Sequence, residues 1–270
     1  MKSSFKTVEL SDLNFESQGL RFLTVKTPNL KGRGDICLYV PEVDDIDNLP
    51  IYILLHGVYG SAWIWAMKGG AHVTTEKLIK NNTIKPAIIA MPSDGLWQDG
   101  SAYFSHHQKQ FDNWIVNDVI TAIKENIPEA KNSTSTCIGG LSMGGYGALS
   151  LGGRFPEKFK AISGHSSITK LEQMQLFTDD SVDEYIKESK TPNLIDILKK
   201  NKTSLPPIRF DCGIKDSLFE ANKLLHKELI KENIPHKFEE FKGGHEWSYW
   251  IENVEKTLRF FDANSIKTNK

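Results

Sequence analysis

Gly140-Leu141-Ser142-Met143-Gly144 fits the pattern G-x-S-x-G, set between a β-prone run ending in Cys137-Ile138 and a stretch, Gly145-Tyr146-Gly147-Ala148-Leu149, able to begin a helix. That strand-turn-helix setting is what a nucleophile elbow requires. A turn sharp enough to push Ser142 clear of both elements crowds the residues two before and two after it, so glycine suits both places. An ordinary glycine-rich turn would read the same way, so the pattern gains meaning only if partners for the serine exist.

A serine hydroxyl is a poor nucleophile at neutral pH and needs a base within hydrogen-bond reach, with a carboxylate to orient that base. In elbows of this kind the partners follow in the order serine, acid, histidine. Asp216 lies in Gly213-Ile214-Lys215-Asp216-Ser217-Leu218, on a loop expected to leave a strand and enter a helix. His245 comes behind Gly243-Gly244, after a further strand. Asp216 could instead be a helix-entry carboxylate favoured by the helix dipole. Asp211 is its rival as the acid but falls inside the strand, and Asp94 and Glu246 are weaker candidates. A tetrahedral intermediate also needs two N–H donors. Met143, just after the nucleophile, supplies one, and the loop His56-Gly57-Val58 supplies the other through Val58, with Tyr59 as the rival donor. His56 reads as a support for that loop. Trp97 and Tyr103, in a long polar loop, and Trp247, next to the base, are the candidate substrate contacts, with His106 and His107 nearby. Trp63, Trp65 and Tyr249 lie on or next to the same edge, where aromatic rings can stack on a sugar or an aromatic acyl group.

The elements that must position these groups alternate. Leu13 to Val25 and Gly34 to Val40 read as an antiparallel opening pair, and LPIYILL (49–55) and PAIIAM (86–91) as strands buried on both faces. Helical spacing runs from Phe111 to Ile127, from Leu218 to Ile234 and through the C-terminal stretch from Trp247, while Ala62 to Asn81 reads as a helix interrupted at Gly69-Gly70. Phe159 to Gly164, Pro207 to Gly213 and His236 to Phe241 complete the strands. Strand and helix in alternation imply a mostly parallel sheet with helices on both faces and its ligand site at the strand carboxyl ends. Residues 166–206 are polar and patchily apolar, as expected of a lid-like insertion or pocket wall within one domain spanning 1–270.

Composition narrows the rest. With 33 lysines and arginines against 34 aspartates and glutamates in 270 residues, nothing argues for nucleic acid or an anionic membrane surface, and a small-molecule substrate is the expected partner. The N-terminus lacks the apolar core of a signal peptide and no run is long enough to span a bilayer, which points to a cytoplasmic protein. Cys37, Cys137 and Cys212, each in an apolar segment, read as reduced buried thiols. No Cys/His spacing suits zinc and no glycine-rich loop suits a nucleotide, so neither a metal nor a cofactor is expected.

LLHGVYGS, MPSDG, GLSMGGYGAL, DCGIKDSLFEAN and KGGHEWSYW together resemble the esterase family of α/β-hydrolases that includes esterase D (S-formylglutathione hydrolase), feruloyl and acetyl-xylan esterases, tributyrin esterases and the mycolyltransferases. The resemblance spans almost the whole chain. It implies an α/β-hydrolase fold and a serine carboxylesterase acting on a small acetyl, feruloyl or other short acyl ester of a sugar or alcohol. It also implies Ser142 as nucleophile, Asp216 as acid, His245 as base and an oxyanion hole at Val58 and Met143. An acyltransferase using the same acyl-enzyme, a formylglutathione thioesterase and a non-catalytic binding protein on this scaffold are the alternatives. An esterase D-like chain is expected to carry a cysteine in the loop after the first glycine, where this one reads Gly57-Val58-Tyr59-Gly60.

Overall fold

Nine strands form one twisted sheet in a computed structural model that describes residues 3–44, 46–179, 181–189 and 193–265. In chain order they are β1 (Val8–Leu10), β2 (Leu20–Thr27), β3 (Gly32–Tyr39), β4 (Ile51–Leu55), β5 (Ile88–Pro92), β6 (Thr136–Leu141), β7 (Ile162–His165), β8 (Ile208–Gly213) and β9 (Lys237–Phe241). Their order across the sheet is β1-β2-β3-β5-β4-β6-β7-β8-β9, antiparallel from β1 to β5 and parallel from β5 to β9. This is the α/β-hydrolase architecture, with helices on both faces.

The apolar run of β4 explains its place at the centre. All five of its residues are buried, and its side chains alternate between two cores. Ile51, Ile53 and Leu55 join the core on one face, while Tyr52 and Leu54 join the core on the other. Helix α1 (Ala71–Lys80) covers the second face with Ala71 and Leu78. A helical stretch over 111–126, here α2, covers the first with Phe111, Trp114, Ile115, Val119 and Ile123 and contains a π-turn over Trp114–Val119. The remaining main helices are α3 (Met143–Arg154), α4 (Leu194–Lys200), α5 (Phe219–Lys231) and α6 (Trp247–Ser265). On α6, Tyr249, Trp250, Val254, Leu258 and Phe261 recur at helical spacing and form much of the second core.

The structure departs from expectation in a few places. Strand β1 is too short to show a period, and Leu13–Phe15 forms a single 3-10 turn in which the Asp12 carboxylate accepts the Asn14 N–H, so the strand expected from Leu13 begins at Leu20, as β2. Strand β7 starts at Ile162, three residues later than the apolar run suggests. The break at Gly69-Gly70 is real: Gly70 has φ 60°, a left-handed conformation that glycine adopts without strain. Between β7 and β8 lie a 3-10 turn (Leu171–Leu176), a short helix (Asp183–Glu188) and α4, while residues 180 and 190–192 of the expected insertion fall outside the described residues. Among the described residues no helix is long and apolar enough to cross a membrane.

Candidate active site

Ser142 stands alone between β6, which ends at Leu141, and α3, which begins at Met143. Its backbone is held at φ 54° and ψ −119°, a conformation rare for a residue with a side chain. Backbone hydrogen bonds hold that strain in place. The Ser142 N–H donates to the His165 carbonyl at 2.9 Å, and the Ser142 carbonyl accepts from Tyr146 and Ile168 at 3.1 and 3.3 Å. The flanking glycines are required by close approach: a Cβ at Gly140 would collide with the Gly144 carbonyl, and one at Gly144 with the carbonyls of Leu55 and His56.

The loops after β8 and β9 bring the other two groups to the same edge. Asp216 follows β8 and His245 follows β9, and the loops are tied together where the Lys215 N–H donates to the Gly243 carbonyl at 2.9 Å. The Asp216 side chain is fully buried, and its Oδ1 accepts the Leu218 N–H at 2.8 Å, so the carboxylate is oriented from behind. His245 Nδ1–H donates to both Asp216 oxygens, at 3.1 and 3.0 Å. With that nitrogen carrying the proton, Nε2 is left to accept from the Ser142 hydroxyl at 3.0 Å. Carboxylate, imidazole and hydroxyl thus form an unbroken chain of hydrogen bonds ending on Ser142.

Met143 follows Ser142 directly in the chain, and Val58 lies on the loop after β4. Met143 opens α3, where the first N–H groups have no acceptor within the helix. The other loop runs close by, since a Cβ on Gly57 would sit 3.3 Å from that of Ser142. Among the described residues the Val58 N–H meets no protein acceptor, whereas the Tyr59 N–H is spent on the Asp99 carbonyl at 2.9 Å. His56 supports the loop: its Nδ1–H donates to the Gly57 carbonyl at 2.7 Å and its Nε2 accepts the Asp94 N–H at 3.1 Å. Asp94 in turn accepts from the backbone of Leu96 and Ser101, which occupies it as a loop organiser.

Asp211, the rival acid, is wholly buried beneath the sheet edge. It accepts from Arg209 Nη1 and the Tyr249 hydroxyl, both at 2.6 Å, and lies 2.9 Å from His165 Nδ1, out of line for a hydrogen bond. Burial alone would raise its pKa, but the neighbouring His165 and Arg209 outweigh that and hold the carboxyl below its ordinary value. The same burial, reinforced by Asp211, pushes the Tyr249 hydroxyl far up. Glu246, another of the weaker candidates, is exposed.

The expected substrate contacts fare unevenly. Tyr103 is corrected: it is 1% exposed, and its hydroxyl donates to the His56 carbonyl at 3.0 Å, so it props the loop from inside. Ala102 and Tyr103 both have positive φ, and this turns the ring inward from a loop whose polar sequence suggests exposure. Trp97 is half-buried and packs against His106, His107 and Phe111, with the Lys109 ammonium 5.1 Å from its ring centre. Trp247 is half-buried two residues from His245, edge-on to Trp65 and Trp250. Phe177 was not among the residues expected at the site. Its ring lies over the His245 imidazole, with centroids 4.4 Å apart and planes 19° from parallel, and Trp250 meets the same imidazole edge-on at 5.1 Å. Among the described residues no histidines, cysteines or carboxylates gather in a group that could hold a metal ion.

The family model described as "Putative esterase" matches residues 27–261. The chain belongs to this esterase family. It is a carboxylic ester hydrolase. It is 28% identical to an acetyl esterase of Caldicellulosiruptor saccharolyticus over 95% of this chain and 99% of the relative. Among solved structures, a ferulic acid esterase superposes with a TM-score of 0.78 at 19% identity, covering 95% of this chain and 99% of that one. An S-formylglutathione hydrolase of Staphylococcus aureus superposes with a TM-score of 0.76 at 16% identity, covering 94% and 99%. At those identities the two structures speak for the fold.

Proposed function

We propose that this esterase hydrolyses a small ester with a short acyl group through an acyl-enzyme formed on Ser142. The observation that carries the reading is the hydrogen-bonded chain from Asp216 through His245 to Ser142, with the serine held in a strained turn at the carboxyl edge of the sheet. His245 takes the proton as the Ser142 oxygen attacks the ester carbonyl, and Asp216 stabilises the imidazolium that forms. The carbonyl oxygen, now an oxyanion, is received by the N–H groups of Met143 and Val58. The imidazolium returns its proton to the departing alcohol. Water deprotonated by His245 then attacks the acyl-enzyme, and collapse of the second intermediate frees the acid and restores Ser142. The likeness to an acetyl esterase over nearly the full length of both chains favours acetyl and other short acyl groups. Trp247, beside the base, contacts the alcohol portion.

The test is a panel of acetyl, butyryl, feruloyl and formyl-thioester substrates run on the wild type, Ser142→Ala and Asp216→Asn. Short acyl esters should be turned over fastest. Both substitutions should lower kcat about a thousandfold or more, because the three groups act as a unit. A loss of only a few-fold in Ser142→Ala would exclude the mechanism.

A further inference from the structure

We infer that Phe177 is a positioning residue for the general base, acting through the face of the His245 ring. The inference rests on the triad reading and extends it to the segment between β7 and β8. Two hydrogen-bonding partners define the imidazole at its nitrogens, Asp216 at Nδ1 and Ser142 at Nε2. Both contacts act at the edge of the ring, through its nitrogens, so neither touches the ring face to oppose a tilt about the line that joins them. Phe177 closes that freedom from one face at 4.4 Å, and the edge-on Trp250 limits it further.

The position of Phe177 is itself well fixed. It caps the 3-10 turn Leu171–Leu176, whose Leu171 and Met174 are anchored in the main core, and its N–H donates to the Met174 carbonyl at 2.9 Å. The Thr178 hydroxyl donates to the same carbonyl at 3.2 Å, and Gln175 Nε2 donates to the Thr178 carbonyl at 2.9 Å. The Phe177 carbonyl accepts the Tyr59 hydroxyl at 2.7 Å, and Tyr59 follows directly on Val58. One residue of the insertion is therefore tied both to the loop carrying an oxyanion donor and to the catalytic imidazole.

Chemistry gives the stack a second effect. In the transition state His245 becomes an imidazolium, and a cation facing an aromatic ring is attracted by the negative face of its π-system. The neutral imidazole of the resting enzyme gains less, so the ring favours the state in which the proton has moved. An aliphatic side chain of similar bulk fills the space but lacks that face.

The experiment compares Phe177→Leu, Phe177→Met and Phe177→Tyr with the wild type on an acetyl ester, with Ser142→Ala alongside and the melting temperature of each protein recorded. The two aliphatic variants should lose about five- to thirtyfold in kcat, the range a cation facing an aromatic ring supplies, with KM altered by less than about threefold. Phe177→Tyr, which keeps the ring face, should stay within about twofold of wild type. Wild-type kcat in Phe177→Leu or Phe177→Met, or a Phe177→Tyr as impaired as they are, would overturn the role of the ring. Activity persisting in Ser142→Ala would instead overturn the triad on which the inference stands, and the two failures are told apart by which variant shows them.

Discussion

His106 offers a test of how tightly the loop between β5 and α2 is packed. It is 2% exposed, with its Nε2–H donating to the Ser101 carbonyl at 3.2 Å. That leaves Nδ1 as an acceptor, and His107 Nδ1–H donates to it at 2.9 Å. A proton added to His106 would have to sit at Nδ1, facing another donor in an apolar surround of Trp97, Phe104 and Phe111. Burial accordingly pulls the pKa down from 6.5 to about 4, with the charge of His107 adding to it and the Ser101 carbonyl and the acids Glu188 and Asp94 opposing it. Because the folded value lies below the unfolded one, the unfolded chain binds the proton more tightly. His106 therefore costs nothing above about pH 6.5, destabilises progressively as the pH falls toward 4, and adds no further penalty below that. The full gap corresponds to roughly 3 kcal/mol, and between about pH 7.5 and about pH 4.5 the loss is roughly 2.5 kcal/mol. His106→Gln keeps a donor for the Ser101 carbonyl and removes the titration. Urea unfolding of both proteins at the two pH values should show the wild type losing about 2.5 kcal/mol more than the variant, a difference from which titrating groups remote from His106 cancel. Equal losses in the two proteins would refute the reasoning.

Beneath the sheet, Arg209 is 1% exposed and bonds to Asp211, Glu239 and Thr257. Arg209→Leu leaves the Asp211 carboxylate buried without the Arg209 guanidinium and should cost about 3–5 kcal/mol in urea unfolding, part of it restored when Asp211→Asn is added. All three cysteines are free and buried, and burial pushes the Cys37 thiol up to about 12 and the other two higher still. The folded protein should therefore resist a thiol-alkylating reagent near pH 8 and take up label only in denaturant, as followed by mass spectrometry.

Much of the sheet could be read from sequence because its central strands carry their own signal. Residues 51–55 are apolar at every position, as a strand covered on both faces must be, and the alternation through Leu23, Val25, Ile36 and Leu38 marks strands with one face more covered than the other. The short β1 gives no period to detect, and its pairing with β2 depends on a partner strand more than ten residues away. The loop over 96–110 misled for a related reason. Its polar composition suggests exposure, but left-handed residues at Leu96, Gln98, Ala102, Tyr103, His107 and Gln108 fold it back on itself and bury Tyr103 and His106. Phe177 was invisible because its segment has no periodicity and the ring it meets lies far along the chain.

The chemistry of the site was more legible than its surroundings, and a second histidine and aspartate show why residue types alone would not have sufficed. His165 and Asp211 stand as close as His245 and Asp216, yet they lie within β7 and β8 themselves and not in the loops beyond them. There both side chains are wholly buried. His165 Nε2 meets the Thr257 hydroxyl at 2.8 Å, that hydroxyl also meets Ser163 at 2.7 Å, and Arg209 neutralises the acid. No ester can reach that imidazole, and its fixed partners leave no nucleophile for it to activate. Moving the same pair a few residues past the strand ends, behind Gly213 and Gly243-Gly244, sets one imidazole nitrogen against a strained serine at the edge of the sheet. Distance past the end of a strand, more than the identity of the residues, separates a structural pair from one that meets a serine hydroxyl.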